Sequence, residues 1–81
     1  MKQYMVVERF KPGCVDAVYE RYERNGRMLP QGLHYLNSWV NREFSICYQL
    51  METSDFGLFS QWTRHWDDLT EFEIVPIDGH S

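Results

Sequence analysis

The middle of the chain reads LHYLNSWVNREFSICYQLME over residues 33–52. Runs of aromatic and branched side chains lie on both sides of Arg42 and Glu43, which predicts two strands, Leu33–Asn41 and Phe44–Glu52, joined by a hairpin. Apolar residues occur at odd and even positions of each run, so alternation does not settle which side chains face a core. An antiparallel pair of strands is therefore expected at the centre of the sequence.

A strand and a helix are predicted before this hairpin. Tyr4–Phe10 is apolar and rich in strand-forming residues, and it is followed by the turn signal Lys11-Pro12-Gly13. From Cys14 to about Met28 the apolar period becomes helical, with one stripe formed by Val15, Val18, Tyr19 and Tyr22. Asn25-Gly26 is a stop signal, and Pro30 with Gly32 ends the helix at the latest.

A second helix and a last strand are predicted after the hairpin. Three alternative N-caps, Thr53, Ser54 and Asp55, precede a helical stripe that ends near Trp66 and consists of Phe56, Phe59, Trp62 and Trp66. This spacing is typical of the core face of a helix rather than of a ligand site. Glu71–Ile77 is the last predicted strand, and residues 78–81 form a polar tail.

The order of these elements predicts an α+β, ferredoxin-like βαββαβ domain over residues 1–81. In this fold a four-stranded antiparallel sheet has both helices on one face. The first and third strands are central, and the second and fourth lie at the edges. Pro76 suits an edge strand because it has no N–H to donate to a neighbour.

Two helices cover only one face of such a sheet, and the strands are assigned to the two faces by parity. The predicted helix-side set is Met5, Val7, Leu36, Val40, Ile46, Tyr48, Leu50, Phe72 and Ile74. The predicted uncovered set is Tyr4, Val6, Glu8, Phe10, Tyr35, Asn37, Trp39, Cys47, Gln49, Met51, Glu73, Val75 and Ile77, with the parity of the second strand left open. Either assignment leaves large apolar groups uncovered, which predicts a homodimer packed sheet against sheet. The alternative is a monomer with ordinary scattered surface hydrophobics.

Composition excludes several classes of partner. Eight Lys and Arg against twelve Asp and Glu give a net charge of −4, which argues against nucleic-acid binding and against a basic membrane-surface helix. No apolar run approaches the roughly 20 residues of a membrane span. Cys14 and Cys47 match no zinc or redox motif, so a reducing cytoplasm is expected, although one disulfide between them stays open.

Six residues are predicted to form a small-molecule site on the uncovered face between protomers: Asn37, Trp39, Gln49, Glu8, Tyr35 and His34. An amide can bind an enolate oxygen while an indole stacks on a ring, and a buried carboxyl can act as acid or base. Alternatively, Trp39 fills the dimer interior, Asn37 binds a backbone group, and Glu8 reaches water or a partner arginine. A ligand in this position requires a cleft of roughly several hundred Å³.

Other reactive side chains give weaker signals. His34, His65 and His80 have neither the paired spacing of metal ligands nor a zinc-protease motif, so no metal site and no cofactor are predicted. Cys14 precedes a helix N-terminus, where the helix dipole favours a thiolate, but no base lies close to it in sequence. Cys47 is expected to be a small apolar filler.

Recognisable motifs run nearly end to end along the chain: Glu8-Arg9-Phe10, Gly26-Arg27-Met28-Leu29-Pro30, Gly32-Leu33, Tyr35, Ser38-Trp39, Gln49-Leu50-Met51-Glu52-Thr53, Trp66, Asp68-Leu69 and Phe72-Glu73-Ile74-Val75-Pro76. With these motifs the chain resembles a bacterial domain family of unknown function in the dimeric α/β-barrel superfamily. The resemblance implies the same fold and a dimer. The superfamily contains cofactor-free monooxygenases, haem-degrading enzymes, isomerases and amino-acid-sensing domains, so it selects no single function. A binding protein for a hydrophobic or aromatic molecule is expected, with a monooxygenase or isomerase, or a non-catalytic sensing or assembly module, as alternatives.

Overall fold

Six elements follow the order βαββαβ in a computed structural model of the chain, which describes residues 1–78. They are β1 (Lys2–Phe10), α1 (Val15–Asn25), β2 (Leu33–Val40), β3 (Ile46–Thr53), α2 (Leu58–Thr63) and β4 (Thr70–Ile77). The strands form one antiparallel sheet in the order β2-β3-β1-β4. The ferredoxin-like α+β fold is therefore confirmed, with β2 and β4 at the edges. The last three residues of the predicted tail, including His80, lie outside the described residues.

The first helix ends at the earlier of its two predicted stop signals, three residues before the predicted limit near Met28. Its last residue is Asn25, and Gly26 follows with a φ of 68°, a left-handed conformation that favours glycine. The Gly26 N–H donates to the Tyr22 carbonyl oxygen at 2.7 Å. Val18 is the buried member of the predicted apolar stripe, whereas Tyr19 and Tyr22 remain partly exposed. No helix within residues 1–78 is long and apolar enough to cross a membrane.

The hairpin connection is longer than its sequence suggests. β3 begins at Ile46 rather than Phe44, because Phe44 adopts a left-handed φ of 54° inside the turn. The Asn41 side chain stabilises this turn, since its Oδ1 accepts the N–H groups of Ser45 and Ile46, each at 2.9 Å. The turn therefore takes two residues that were predicted to start the strand.

The second helix is shorter than predicted. It occupies Leu58–Thr63, and its N-cap is Gly57 rather than any of the three predicted residues. Asp55 instead forms a turn ahead of the helix, in which its Oδ1 accepts the Gly57 N–H at 2.9 Å. Trp66 lies in the turn that follows the helix, and it is still buried with Phe59 and Trp62.

The predicted faces of β1 and β3 were wrong. In the structure, the side chains that face the helices are Tyr4, Val6, Glu8, Phe10, Cys47, Gln49, Met51 and Thr53. The uncovered face receives Met5, Val7, Ile46, Tyr48 and Leu50 instead. Both parities of these strands contain large apolar groups, so the sequence has no contrast that would identify the face towards the helices. The assignment of Phe72 and Ile74 in β4 to the helix side was correct.

An irregularity in β2 divides the faces of that strand. Pairing with β3 shifts between Tyr35 and Asn37, so Leu36 has no partner and is 42% exposed, contrary to its predicted place in the core. Tyr35 pairs with Met51 and therefore faces the helices, which also contradicts the prediction. Beyond the shift, Val40 pairs with Cys47 on the helix side, as predicted. The bulge is the physical reason why one parity does not hold for the whole strand.

Candidate ligand pocket

A cavity of about 150 Å³ lies between α1 and the helix-side face of the sheet. Residues from both helices, from three strands and from the α1–β2 connection line it: Glu8, Phe10, Val18, Tyr19, Tyr22, Arg27, Ser38, Val40, Cys47, Gln49, Trp62 and Trp66. The lining is mainly aromatic and aliphatic, with a small number of polar groups. This composition is typical of a small-molecule site.

The floor of the pocket is a hydrogen-bonded pair on the two central strands. Glu8 and Gln49 are 6% and 5% exposed, and Gln49 Nε2 donates to Glu8 Oε1 at 3.1 Å. Val6 is the register partner of Gln49, and Glu8 is that of Cys47, so the two polar side chains are diagonal neighbours on the same face. Two polar side chains at the buried centre of a sheet are therefore placed side by side.

Burial raises the pKa of Glu8 from 4.5 to about 7, and the hydrogen bond from Gln49 and the charge of Arg27 oppose this increase. A carboxyl group with this pKa exchanges a proton near neutral pH. It can therefore accept a hydrogen bond from a ligand hydroxyl when ionised, or donate one when protonated.

Two tyrosines of α1 lie beside the opening of the pocket. Tyr19 and Tyr22 are 40% and 41% exposed, although they belong to the apolar stripe of the helix. The Tyr19 ring centroid is 6.2 Å from that of Phe10 on β1. The stripe is incompletely buried because the cavity lies between this part of α1 and the sheet. These side chains present aromatic surface to a molecule entering the pocket.

The opposite wall contains two indoles from α2 and the following turn. Trp62 and Trp66 are 1% and 4% exposed, so the prediction that they belong to the core is confirmed. Both also line the pocket, and both Nε1 atoms donate to the carbonyl oxygen of Arg27, at 2.9 and 3.1 Å. These two hydrogen bonds attach the segment after α1 to α2 and to the turn that follows α2.

The two cysteines have different surroundings and are not bonded to each other. Cys47 lines the pocket, where burial, and secondarily the charge of Glu8, raises the pKa of its thiol to about 11. A thiol with this pKa is protonated near neutral pH, and so it is a poor nucleophile. Cys14 is the N-cap of α1 and lies outside the pocket, with its Sγ 3.7 Å from the Pro12 carbonyl oxygen.

The six predicted site residues do not form one site. Glu8 and Gln49 line the pocket, and Tyr35 lies on the same side of the sheet. Asn37, Trp39 and His34 lie on the uncovered face instead.

The sheet therefore separates the two groups of predicted residues. Trp39 is 49% exposed, and Asn37 Oδ1 accepts the Ser38 N–H at 2.8 Å. The cavity is next to Gln49 but not next to Asn37 or Trp39, and it is smaller than the expected cleft.

Most of the pocket lining was not predicted from the sequence. Arg27, Ser38 and the tyrosines of α1 were not predicted as site residues, and Trp62 and Trp66 were assigned to the core alone. One available signal was the pair of polar residues, Glu8 and Gln49, in strands that are otherwise apolar. Such residues in a half-covered sheet mark either an exposed face or a polar pocket, and here they mark the pocket.

Within residues 1–78, no group of three or more His, Cys, Asp or Glu side chains is arranged to hold a metal ion.

Comparisons with known proteins place the chain in a family. A search of curated proteins found no significant match, and neither did a search of solved structures. The model of a domain of unknown function, DUF3303, matches residues 2–78. The chain therefore belongs to the DUF3303 family.

Proposed function

We propose that the protein binds a small molecule in the pocket between α1 and the sheet. The observation behind this proposal is the buried Glu8–Gln49 pair facing an aromatic cavity. Buried carboxyl groups are costly to a fold, and a core without a ligand is more stable with apolar residues in such positions. A polar pair beside a cavity is instead typical of a site in which a few polar groups orient a ligand.

The size of the cavity limits the ligand. A volume of about 150 Å³ matches a single aromatic ring, since an engineered cavity of that size binds benzene. The lining favours a flat apolar body, and Glu8 favours a hydroxyl group on it. A phenol is the simplest molecule with both features.

Calorimetry and tryptophan fluorescence test this proposal with phenol as the probe. Trp62 and Trp66 line the pocket whereas Trp39 lies on the other face, so the Trp39→Phe protein should keep a fluorescence change on binding. Val40→Phe places a ring in the pocket wall and should weaken phenol binding at least tenfold. Ala17→Phe adds the same ring on the exposed side of α1 and should leave binding unchanged.

Two results would contradict the pocket. One is the absence of a heat or fluorescence change at millimolar phenol in the folded protein. The other is a response that disappears in Trp39→Phe but survives in Val40→Phe, because this pattern would move the site to the uncovered face.

A second candidate function is acid–base catalysis of the isomerase type. It is favoured by a carboxyl group whose pKa is about 7 inside an apolar cavity, as expected of a general acid or base. Glu8 would remove a proton from a carbon beside a carbonyl group, and the carboxylic acid formed on Glu8 would then return that proton to the enolate oxygen. With phenylpyruvate as probe, Glu8→Gln should abolish the enol–keto conversion and Glu71→Gln should retain it; equal rates would reject this function.

We also propose that two copies pair through the uncovered face of the sheet. Its centre is apolar, with Met5, Val7, Tyr48, Leu50 and Val75, while charged residues such as Arg9 and Glu52 lie at the strand ends. An apolar centre with a polar rim is the anatomy of a protein interface.

Two-fold pairing makes a second copy the simplest partner for a face of this size. Four strands about 4.8 Å apart and about 8 residues long, at about 3.3 Å each, form a plane of roughly 500 Å² before side-chain relief is added. Stable interfaces bury about 800 Å² per partner, and two-fold pairing is the commonest assembly. The resemblance to the dimeric α/β-barrel superfamily supports the same arrangement.

The unbonded Cys14 and Cys47 support a reducing compartment, such as a bacterial cytoplasm.

A further inference from the structure

Arg27 provides a second polar group in the pocket, on a different wall from Glu8. Its guanidinium carbon lies 3.6 Å from the ring centroid of Tyr35 and 5.1 Å from that of Tyr22. Its Nη1 donates to the Tyr22 hydroxyl at 3.2 Å. Stacking between two aromatic rings fixes the plane of the guanidinium group. The cation is therefore held beside the cavity by aromatic contacts.

Hydrogen bonds and two left-handed neighbouring residues also position the backbone of Arg27. Its carbonyl oxygen accepts the two indole N–H groups of Trp62 and Trp66. The residues on either side, Gly26 and Met28, have left-handed φ values of 68° and 59°. Met28 adopts a conformation that is costly for a non-glycine residue, and such strain is maintained only where surrounding contacts impose it. This geometry directs the Arg27 side chain towards Tyr35 and the pocket.

The guanidinium group forms no ion pair with a carboxylate in the described part of the chain, although its charge lowers the pKa of Glu8. The ion pairs found there join Arg9 to Glu73, Arg21 to Asp68 and Arg24 to Glu20. A guanidinium group has five N–H donors, and within residues 1–78 only the bond to the Tyr22 hydroxyl uses one. Four donors of a fixed, planar cation therefore remain for an acceptor beside the cavity.

Arg27 and Glu8 recognise different chemical groups. A planar guanidinium group binds a carboxylate through two parallel hydrogen bonds, whereas a carboxyl group such as that of Glu8 binds a hydroxyl group. A doubly charged phosphate fits less well, because an ionised Glu8 in the same small cavity would repel it. Both groups line the same cavity, whose other walls are mainly rings and aliphatic side chains and whose volume is that of one ring.

On the basis of the proposed pocket, we propose that the ligand class is a hydroxylated single-ring aromatic carboxylic acid. The ligand carboxylate pairs with Arg27, the ring lies among the aromatic side chains, and the ligand hydroxyl hydrogen-bonds to Glu8. Arg27 is then the residue that selects an acid over a neutral phenol. This assignment names a ligand class that binding of phenol alone does not establish.

Isothermal titration calorimetry at pH 7.5 with two matched probes tests this inference. 4-Hydroxybenzoate should bind the wild-type protein at least tenfold more tightly than 4-hydroxybenzyl alcohol, which lacks the carboxylate. Arg27→Gln should abolish this preference, so that the variant binds the acid and the alcohol with affinities within about twofold of each other. Arg27→Lys should retain part of the preference, because it keeps the charge without the planar donors. Arg24→Gln, on the exposed side of α1, is the matched control and should behave like the wild type.

The outcomes separate this inference from the proposed function. Equal affinities of the wild-type protein for the acid and the alcohol would overturn the role of Arg27 and leave the phenol pocket standing. A preference for the acid that persists in Arg27→Gln would also overturn it. If neither probe nor phenol binds to the folded protein, both the pocket and the ligand class are rejected.

Discussion

Burial of the Glu8 carboxyl links the stability of the protein to pH. The folded protein has a Glu8 pKa of about 7, against 4.5 for an unperturbed group. The folded state therefore holds this proton more tightly than the unfolded state. As the pH rises from about 4.5 to about 7, this group lowers the free energy of unfolding, and the loss persists above pH 7. The difference in pKa corresponds to roughly 3 kcal/mol.

Glu8→Gln should remove this pH dependence, since an amide of similar shape does not ionise. At pH 8 the free energy of unfolding of the variant should exceed that of the wild type by up to about 3 kcal/mol. Near pH 4.5 the two proteins should be similar. Urea unfolding at both pH values measures the difference, with the exposed Glu71→Gln as control. A constant difference between variant and wild type across this range would contradict the assigned pKa.

The Cys47 thiol should react slowly because burial raises its pKa. Its pKa of about 11 leaves roughly one thiolate in a thousand at pH 8. In a Cys14→Ser protein, labelling by a disulfide reagent should be far slower than in the same protein unfolded by guanidinium. The rate should grow about tenfold per pH unit between pH 8 and 10 while the fold persists. Fast, pH-independent labelling of the folded protein would show that the thiol is exposed and ionised.

The elements could be predicted from the sequence, but the faces of the central strands could not. Lys11-Pro12-Gly13 and Gly26 are turn signals with a physical cause, and the change from strand to helical period after Cys14 is clear. β1 has apolar side chains at both Tyr4 and Met5 and at the two positions after them. Alternation has no contrast in such a strand, and one wrong parity moves every side chain to the other face. Even a correct parity for the start of β2 would fail beyond its bulge.

An ion pair connects α1 to the α2–β4 connection. Arg21 binds both Asp68 carboxylate oxygens at 2.8 Å, and its Nη1 also donates to the His65 carbonyl oxygen at 2.7 Å. The hydrogen bonds from Arg21 lower the pKa of Asp68 to about 2. A carboxyl group with a lowered pKa stabilises the fold above its ordinary pKa, and this contribution is lost as the pH falls towards 2. The pair therefore helps to hold α1 over the pocket at neutral pH.

Asp68→Asn should lower Tm by a few °C at pH 7, because the pair is bidentate but exposed. The difference from wild type should become small as the pH falls to about 2, where about half of the Asp68 carboxyl groups are protonated. Thermal unfolding followed by circular dichroism measures both values. Asp67→Asn changes the neighbouring exposed carboxylate and should have a smaller effect at pH 7. Equal effects of the two variants would show that the Arg21 pair contributes nothing specific.

The pocket forms only where distant parts of the chain pack together, which is why only part of it could be predicted from the sequence. Glu8 and Arg27 come from β1 and from the α1–β2 connection, and neither is close in sequence to Gln49 or Trp66. Only the packing of α1 at a distance from the sheet creates the space among them. The pocket cation, Arg27, lies in the sequence motif Gly26-Arg27-Met28. The left-handed backbone on both sides of Arg27 and the hydrogen bonds from two indoles to its carbonyl oxygen depend on the fold.

The two faces of the sheet should have separable functions, with the ligand on one and the second copy on the other. Trp39→Glu places a charge on the uncovered face and should convert the expected dimer into a monomer at micromolar concentration, measured by light scattering. Phe44→Glu alters an exposed aromatic of the β2–β3 turn and should leave the dimer intact. The Trp39→Glu monomer should still bind phenol, because the pocket lies across the sheet from Trp39. A monomeric wild-type protein would refute the pairing, and loss of phenol binding in a folded Trp39→Glu monomer would show that the two faces depend on each other.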